Sequence, residues 1–433
     1  MYHKAKGLVS LLMVIALPFL LMLSGFTIDS GRAYLAKAQL NAAVDAAGIA
    51  AARSISMGTT AAEASAERYF NANMTGRSLD LDYKITNITF ITDDWGNTSV
   101  DVEANATMPA VFTGLLGVPT WNINAQSQTL RRPVDIALVV DNSTSLDAEM
   151  ATVKTRAISF LSNFNEDFDR ISISKFGYGA ETVVSFSSGE RTHNRATNES
   201  VINAMTVRTD GNTHATNTSN GFYKAYEQFS DDDDQAANLR VIVLFTDGAP
   251  SAFTSVLNFD DELMDRASSI AASGSTAWGL TKADSVFSEL QYDGDDVFYG
   301  SQIKNHGVSI PSNGKYKGFN LFEGKNYDDN IGKNLSLGEE VFVVARDLPA
   351  TIAHAAREDG IYVFTLGLGS QLQSQQGVET GEELLYRMAN DPNMSSSDFD
   401  EDQPQGLYCY AEYEEDLGPC FDKMLDVIIR LTM

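Results

Sequence analysis

Residues Leu8 to Phe26, LVSLLMVIALPFLLMLSGF, run for nineteen positions without a charged side chain. A stretch of this kind needs a deep protein core or a bilayer, so it constrains the chain before anything else is read. As a helix it spans about 28 Å, against roughly 30 Å for a hydrocarbon core. Lys4 and Lys6 precede it and Asp29 follows, which predicts a cytoplasmic N-terminus with everything after Phe26 outside. A cleavable signal peptide is the alternative. Its apolar region usually runs only about 7–15 residues, and no A-x-A site follows here. Residues 27–56 are Ala-rich and free of Pro, so the helix is expected to continue past the membrane.

Charge divides the chain. It has 433 residues with 31 Lys plus Arg and 58 Asp plus Glu, a formal net charge of −27. Residues 1–133 carry 10 basic and 10 acidic side chains, whereas residues 134–433 carry 21 and 48. The excess lies wholly in the C-terminal part. Such a surface repels phosphate, which excludes nucleic acid as a partner and favours cations. Hydrophobic residues make up 43%, enough for a core, and the length suits two or three domains. Five scattered His and two Cys, with no CxxC, leave almost no material for a zinc site.

Beyond the helix, LDLDYKITNITFITDDWGNTSVDVEANATMP alternates apolar and polar residues around a turn at DDWGN, which reads as paired strands. An uncharged knob, Phe112 to Val118, follows, then another strand. No catalytic constellation occurs there, so residues 57–132 are expected to form a small β-rich stalk.

From residue 133 onward strands and helices alternate. VDIALVVD, RISISKFG, LRVIVLFTDG, GIYVFTLGLG and LYCYAEY read as strands, separated and closed by amphipathic stretches. This order predicts an α/β, doubly wound, mainly parallel sheet, in which ligands bind outside the carboxyl ends of the strands. The polar residues fall there. Asp141, Ser143 and Ser145 follow the first strand, Asp247 ends a later one, and Thr216 lies on a loop before a helix. Carboxylate and hydroxyl oxygens are hard ligands, and Mg²⁺ needs about six of them, more than one loop supplies. Asp and Ser after a strand also serve as turn formers and N-caps, so DNSTS alone would be weak.

DIALVVDNSTS and the later FTDG resemble the signature of von Willebrand factor type A (VWA) domains, which have a Rossmann-like fold. The resemblance implies a metal-ion-dependent adhesion site (MIDAS). By its pattern Ser143, Ser145 and Thr216 hold the metal directly, Asp141 and Asp247 act through water, and an acidic group of a partner takes the open position. Mg²⁺ is the implied metal, with Mn²⁺ and Ca²⁺ as alternatives. Thr216 is preferred because Gly221 and Phe222 supply the usual small-plus-apolar pair; Thr213 in GNT is the other candidate. The N-terminal IDSGRAYLAKAQLNAAVDAAGIAAA resembles TadE/TadG-like proteins of the tight-adherence (Flp) pilus apparatus, through Asp29, Gly31, Arg32, Gln39, Asp45 and the alanines around them.

Between TDGAPS and the helix expected near Leu348, residues of about 251–340 form an insertion rich in Gly, Asn and aromatics. Its Tyr292, Phe298, Tyr299, Tyr316, Phe319 and Phe322 read equally well as a contact surface or a minor core. Acidic runs at 231–234, 260–262, 293–296 and 398–402 match no full calcium loop and read as solvated faces. Cys409 and Cys420 would form a disulfide in an oxidising compartment, the alternative being two buried thiols. No GxSxG, HExxH or P-loop occurs, so binding is expected rather than catalysis.

The resemblances together imply a single-pass inner-membrane protein with a periplasmic VWA domain. It would help assemble or anchor Flp pili by docking a carboxylate of a pilin or assembly protein. A secreted or pilus-tip adhesin on the cell surface is the alternative.

Overall fold

The computed structural model describes residues 6–75, 81–207, 215–229, 236–258, 266–278, 308–374, 379–394 and 398–432. Thr213, the acidic runs at 231–234, 260–262 and 293–296, and Tyr292, Phe298 and Tyr299 lie outside them. The chain divides into two compact units, Met1–Arg131 and Arg132–Thr432.

In the first unit α1 (Lys6–Ser54) continues unbroken for 49 residues. It carries Pro18 within the apolar run and continues through it despite the backbone donor that proline lacks. Its later half buries Ala36, Leu40, Ala43, Val44, Ala47 and Ala51, spaced three or four apart on one face. α2 (Thr59–Met74) returns beside it, burying Ala62, Ala66, Phe70 and Met74. This segment was expected to be part of a β-rich stalk. Its Ala, Glu and Arg favour helix, and Phe70 and Met74 give it a face to bury.

Strands β1 (Asp82–Thr92), β2 (Thr98–Pro109) and β3 (Thr120–Arg131) form an antiparallel meander in sequence order. β2 buries Val100, Val102, Ala104, Ala106 and Met108 and leaves alternate residues less covered, as the period-two pattern requires. At the expected DDWGN turn, Asp93 Oδ1 accepts from the N–H groups of Trp95 and Asn97, both at 2.9 Å. Gly96 supplies the left-handed φ of 81°.

The second unit opens with β4 (Val134–Asp141), α3 (Met150–Leu161), β5 (Arg170–Phe176) and β6 (Ala180–Val184). Next come α4 (Arg195–Ala204), α5 (Thr218–Tyr226) and β7 (Leu239–Thr246). The insertion contributes β8 (Ala252–Leu257), β9 (Arg266–Ser273), β10 (Thr276–Trp278), the short pair β11 (Lys315–Tyr316) and β12 (Phe319–Asn320), and α6 (Lys325–Asn330). The chain closes with α7 (Leu337–Glu358), β13 (Tyr362–Leu368), α8 (Gly381–Ala389), β14 (Leu407–Ala411) and α9 (Leu417–Thr432).

Six strands make the main sheet in the order β14-β13-β7-β4-β5-β6, all parallel except the edge pair β5–β6. β4 is buried at every position, as a central parallel strand must be. Its Ala137 and Val139 pack to one side with Phe222 of α5 and Val344, Leu348 and Ile352 of α7. Its Ile136, Leu138 and Val140 pack to the other with Val153 and Phe160 of α3 and Phe421 and Met424 of α9. The sheet is therefore wound on both faces. β5 and β7 flank β4 on opposite sides, which puts the topological switch between β4 and β7.

Helix α7 begins at Leu337, eleven positions before the expected Leu348. Ser336 and Glu339 close a capping box at its start, and Pro349 stays inside it. The insertion is not a bare loop either. β8, β9 and β10 form an antiparallel sheet, and Tyr316 and Leu321 join the same core as α5 and α7. Of its aromatics, Tyr316 is buried and stands edge-on to Tyr223, with Phe319 partly buried beside them. These two and Phe322 pack onto the core shared with α5 and α7.

Candidate metal centre

The site starts from strand register. Val140 pairs with Phe245 across the parallel β4–β7 ladder, so the next residues, Asp141 and Thr246, end up side by side. Thr246 Oγ1 donates to Asp141 Oδ2 at 2.6 Å, and the Ser143 N–H donates to Asp141 Oδ1 at 2.8 Å. The chain after Asp141 is held by the Asn142 N–H, which donates to the Phe176 carbonyl at 2.7 Å. It then makes a tight turn over Thr144–Leu146, which brings both serines of DNSTS to one place. Their hydroxyls lie 3.1 Å apart, and Ser145 Oγ donates to Asp247 Oδ1 at 2.8 Å.

Thr216 reaches this edge from the α5 side. Its N–H donates to Ser251 Oγ at 3.1 Å, and its carbonyl accepts from the Ser251 N–H at 3.0 Å. A Cβ added to Gly248 would stand 3.4 Å from Thr216 Oγ1, so the threonine lies directly against the TDG turn. The following Asn217 caps α5 by accepting from the Asn220 N–H, and its own N–H donates to the Gly177 carbonyl at 2.7 Å. Gly221 is required for this approach: a Cβ there would meet the Phe176 ring at 2.5 Å. The small-plus-apolar pair thus has a packing cause, and Phe222 beside it is fully buried.

Asp141, Ser143, Thr216 and Asp247 are buried, while Ser145 is exposed. Five candidate ligands, from the ends of β4 and β7 and from the loop before α5, therefore gather at the switch point. Neither carboxylate has an ion-pair partner among the described residues. Burial raises the Asp141 carboxyl above its ordinary range, against the lowering bonds from Thr246 and Ser143. For Asp247 burial again comes first, the Asp141 charge adds to it, and both outweigh the bond from Ser145. Both carboxylates are thus held above their ordinary range mainly by burial, with no ion-pair partner among the described residues to offset it. The donor set, two carboxylates and three hydroxyls, is all hard oxygen and fits a Mg²⁺-class cation. Among the described residues no cluster of three His, Cys, Asp or Glu side chains occurs, and here hydroxyls complete the set instead.

Sequence reading missed Thr246 and Ser251, although both lie in the quoted FTDG and TDGAPS segments. Their roles depend on register and on a loop crossing, which no spacing reveals. Elsewhere in the unit Cys409 of β14 is bonded to Cys420 of α9, with Cα atoms 5.6 Å apart, joining the sheet edge to the last helix.

Residues 135–290 match the family model of the von Willebrand factor type A domain. Residues 7–54 match that described as putative Flp pilus-assembly TadE/G-like. No curated protein matches the chain. Among solved structures it is similar to proximal thread matrix protein 1 from the mussel byssus, at 11% identity and TM-score 0.36, over 69% of this chain and 47% of that one. It is similar to the pilus adhesin SpaC from Lactobacillus rhamnosus GG, at 16% identity and TM-score 0.37, over 81% and 34%. The vWF domain of the type V pili tip protein Mfa5 from Porphyromonas gingivalis aligns at 13% identity and TM-score 0.39, over 70% and 98%. The chain thus spans less than half the length of the first two. These superpositions are loose, and the fold rests on the strand order and the family match. The chain carries a von Willebrand factor type A domain behind a TadE/G-like N-terminal segment.

Proposed function

We propose that this protein is a membrane-anchored component of Flp-type pilus assembly or anchoring, which docks an acidic group of a protein partner through a divalent metal. The observation that carries this reading is the convergence of Asp141, Ser143, Ser145, Thr216 and Asp247 at the switch point, where neither carboxylate has an ion-pair partner among the described residues. Those five residues would hold the metal, and the metal would supply a positive, carboxylate-seeking position on an otherwise acidic domain. Mg²⁺ suits the donors best, with Mn²⁺ and Ca²⁺ next. The proposed function is binding rather than catalysis, in keeping with a sequence that carries no GxSxG, HExxH or P-loop. Partners are pilin or assembly proteins that offer a carboxylate.

The only helix among the described residues long and apolar enough to cross a membrane lies in the TadE/G-like segment. Flanking charge supports an inner-membrane location with the VWA domain in the periplasm, and the disulfide suits that compartment.

The test is calorimetric titration of the detergent-solubilised full chain with Mg²⁺ and Mn²⁺, beside the Ser143→Ala/Ser145→Ala variant. Binding lost in the variant supports the site. Equal heats from both proteins would mean diffuse binding by acidic loops and sink it. Fractionation separates anchoring from the tip-adhesin alternative, since a tip subunit leaves with sheared fibres.

A further inference from the structure

The loop from Ala110 to Trp121 contains no charged residue, and Val111, Phe112, Leu115, Leu116 and Val118 are exposed on it. Leu115, at the tip of a short turn, is 87% exposed. In water such a knob would be an unexplained apolar patch. Its position explains it. A Cβ on Gly25 would meet Phe112 Cβ at 2.5 Å, and the Phe26 and Trp121 rings lie 6.1 Å apart. Gly25 and Phe26 are the last two residues of the uncharged run. The knob is therefore fastened beside the point where the helix leaves the hydrocarbon.

Its backbone is also prepared for a medium without water. The buried Asp29 carboxylate accepts from the N–H groups of Val111, Phe112 and Thr113 at 2.7–3.0 Å and from the Thr113 hydroxyl at 2.9 Å. The N–H groups of Ala110, Leu115, Gly117 and Val118 donate to carbonyls within the same loop. Trp121 Nε1 donates to Thr113 Oγ1 at 3.1 Å, so its polar atom is satisfied while its ring lies beside Phe26. Satisfied backbone donors are what entry into a bilayer demands, and Trp is a residue of the membrane interface.

We infer that the 111–118 knob is a second membrane contact, which inserts into the leaflet where α1 emerges and sets the angle and depth of the first unit. Continuity with the membrane helix names the occupant as lipid. This rests on the membrane-anchoring reading above.

Single cysteines test it in the full chain, reconstituted one copy per nanodisc of phosphatidylethanolamine and phosphatidylglycerol. Cys409 and Cys420 are bonded to each other and do not label. A fluorophore is placed by Leu115→Cys at the knob, Leu20→Cys in the uncharged run and Trp95→Cys at the far turn of the sheet, all exposed positions. Lipid nitroxides near the head of the acyl chain should quench the Leu115 probe several-fold more than the Trp95 probe, and Leu20 should respond to deeper nitroxides. Quenching at Leu20 with Leu115 no different from Trp95 overturns the knob insertion and leaves anchoring intact. Loss of quenching at Leu20 overturns anchoring itself. A Leu115 probe shielded from both lipid and aqueous quenchers would show a protein covering the knob, and would also overturn the proposal.

Discussion

Both units bury carboxylates, and they treat them in opposite ways. Asp29 in the first unit accepts four hydrogen bonds from one loop and lies 3.7 Å from Arg32. Asp141 and Asp247 in the second share fewer donors and have no ion-pair partner among the described residues; burial raises both, and the Asp141 charge raises Asp247 further. A third case, Asp135, lies in the same unit as the pair yet resembles Asp29. Arg170 and Arg191 hold it at 2.6 and 2.7 Å, and the Ala237 N–H donates to it as well. A buried carboxylate is therefore no sign of a ligand site. What sets the Asp141–Asp247 pair apart is that neither has an ion-pair partner among the described residues.

The largest effect should come from removing the satisfied carboxylate. Asp29→Ala strands three backbone N–H groups and a hydroxyl. Hydrogen-exchange protection at residues 111–113 should fall on the order of a thousandfold. Unchanged protection would mean that water or another group replaces Asp29, and the contrast would collapse. Reducing the Cys409–Cys420 bond should lower the stability of the second unit by about 3 kcal/mol through the loop it closes. Metal affinity at native temperature should stay the same, because the bond lies on β14 and α9. A parallel loss of affinity would show that the centre depends on the far sheet edge.

For the unsatisfied pair the sign reverses. A carboxyl whose folded pKa is raised weakens the fold as pH rises from its unfolded value, about 4, toward neutrality, since the folded state then binds the extra proton. Without metal, stability should fall across that window, and Asp247→Asn should recover roughly 2 kcal/mol near neutral pH. With saturating Mg²⁺ the order inverts, the parent gaining stability and the variant none. Denaturation in chelator and in Mg²⁺ reads both arms; a variant less stable in chelator would break the comparison. The smallest effect is expected from Thr246→Val, which removes one donor to Asp141 and should cost about 1 kcal/mol.

Much of the architecture was legible because it is written in local periods. The apolar run is long enough for a bilayer. The period-two alternation of β2 and the apolar run Ile136–Val140 of the fully buried β4 distinguish a one-sided sheet from a two-sided one. DNSTS and FTDG mark the ends of β4 and β7, where the candidate metal donors lie. Where reading by period failed, local composition still held the missed signal. α2 has helix-forming residues with Phe70 and Met74 on one face, and α7 announces itself by the Ser336/Glu339 capping box.

The sequence by itself determined the alternation of strands and helices behind β4 and the long N-terminal helix, and it nominated the oxygen donors of the candidate centre. Only the tertiary structure decided that Thr246 supports Asp141, that Ser251 holds the Thr216 segment, that Asp29 organises an uncharged loop, and that Cys409 faces Cys420. Most of these partners lie far apart along the chain, 105 positions for Thr246 and Asp141 and 84 for Asp29 and Thr113. Hydrophobic periodicity reports which face of an element is buried. It says nothing of which distant element covers that face or in what register, and a shift of one residue between β4 and β7 would have left Asp141 without its donor.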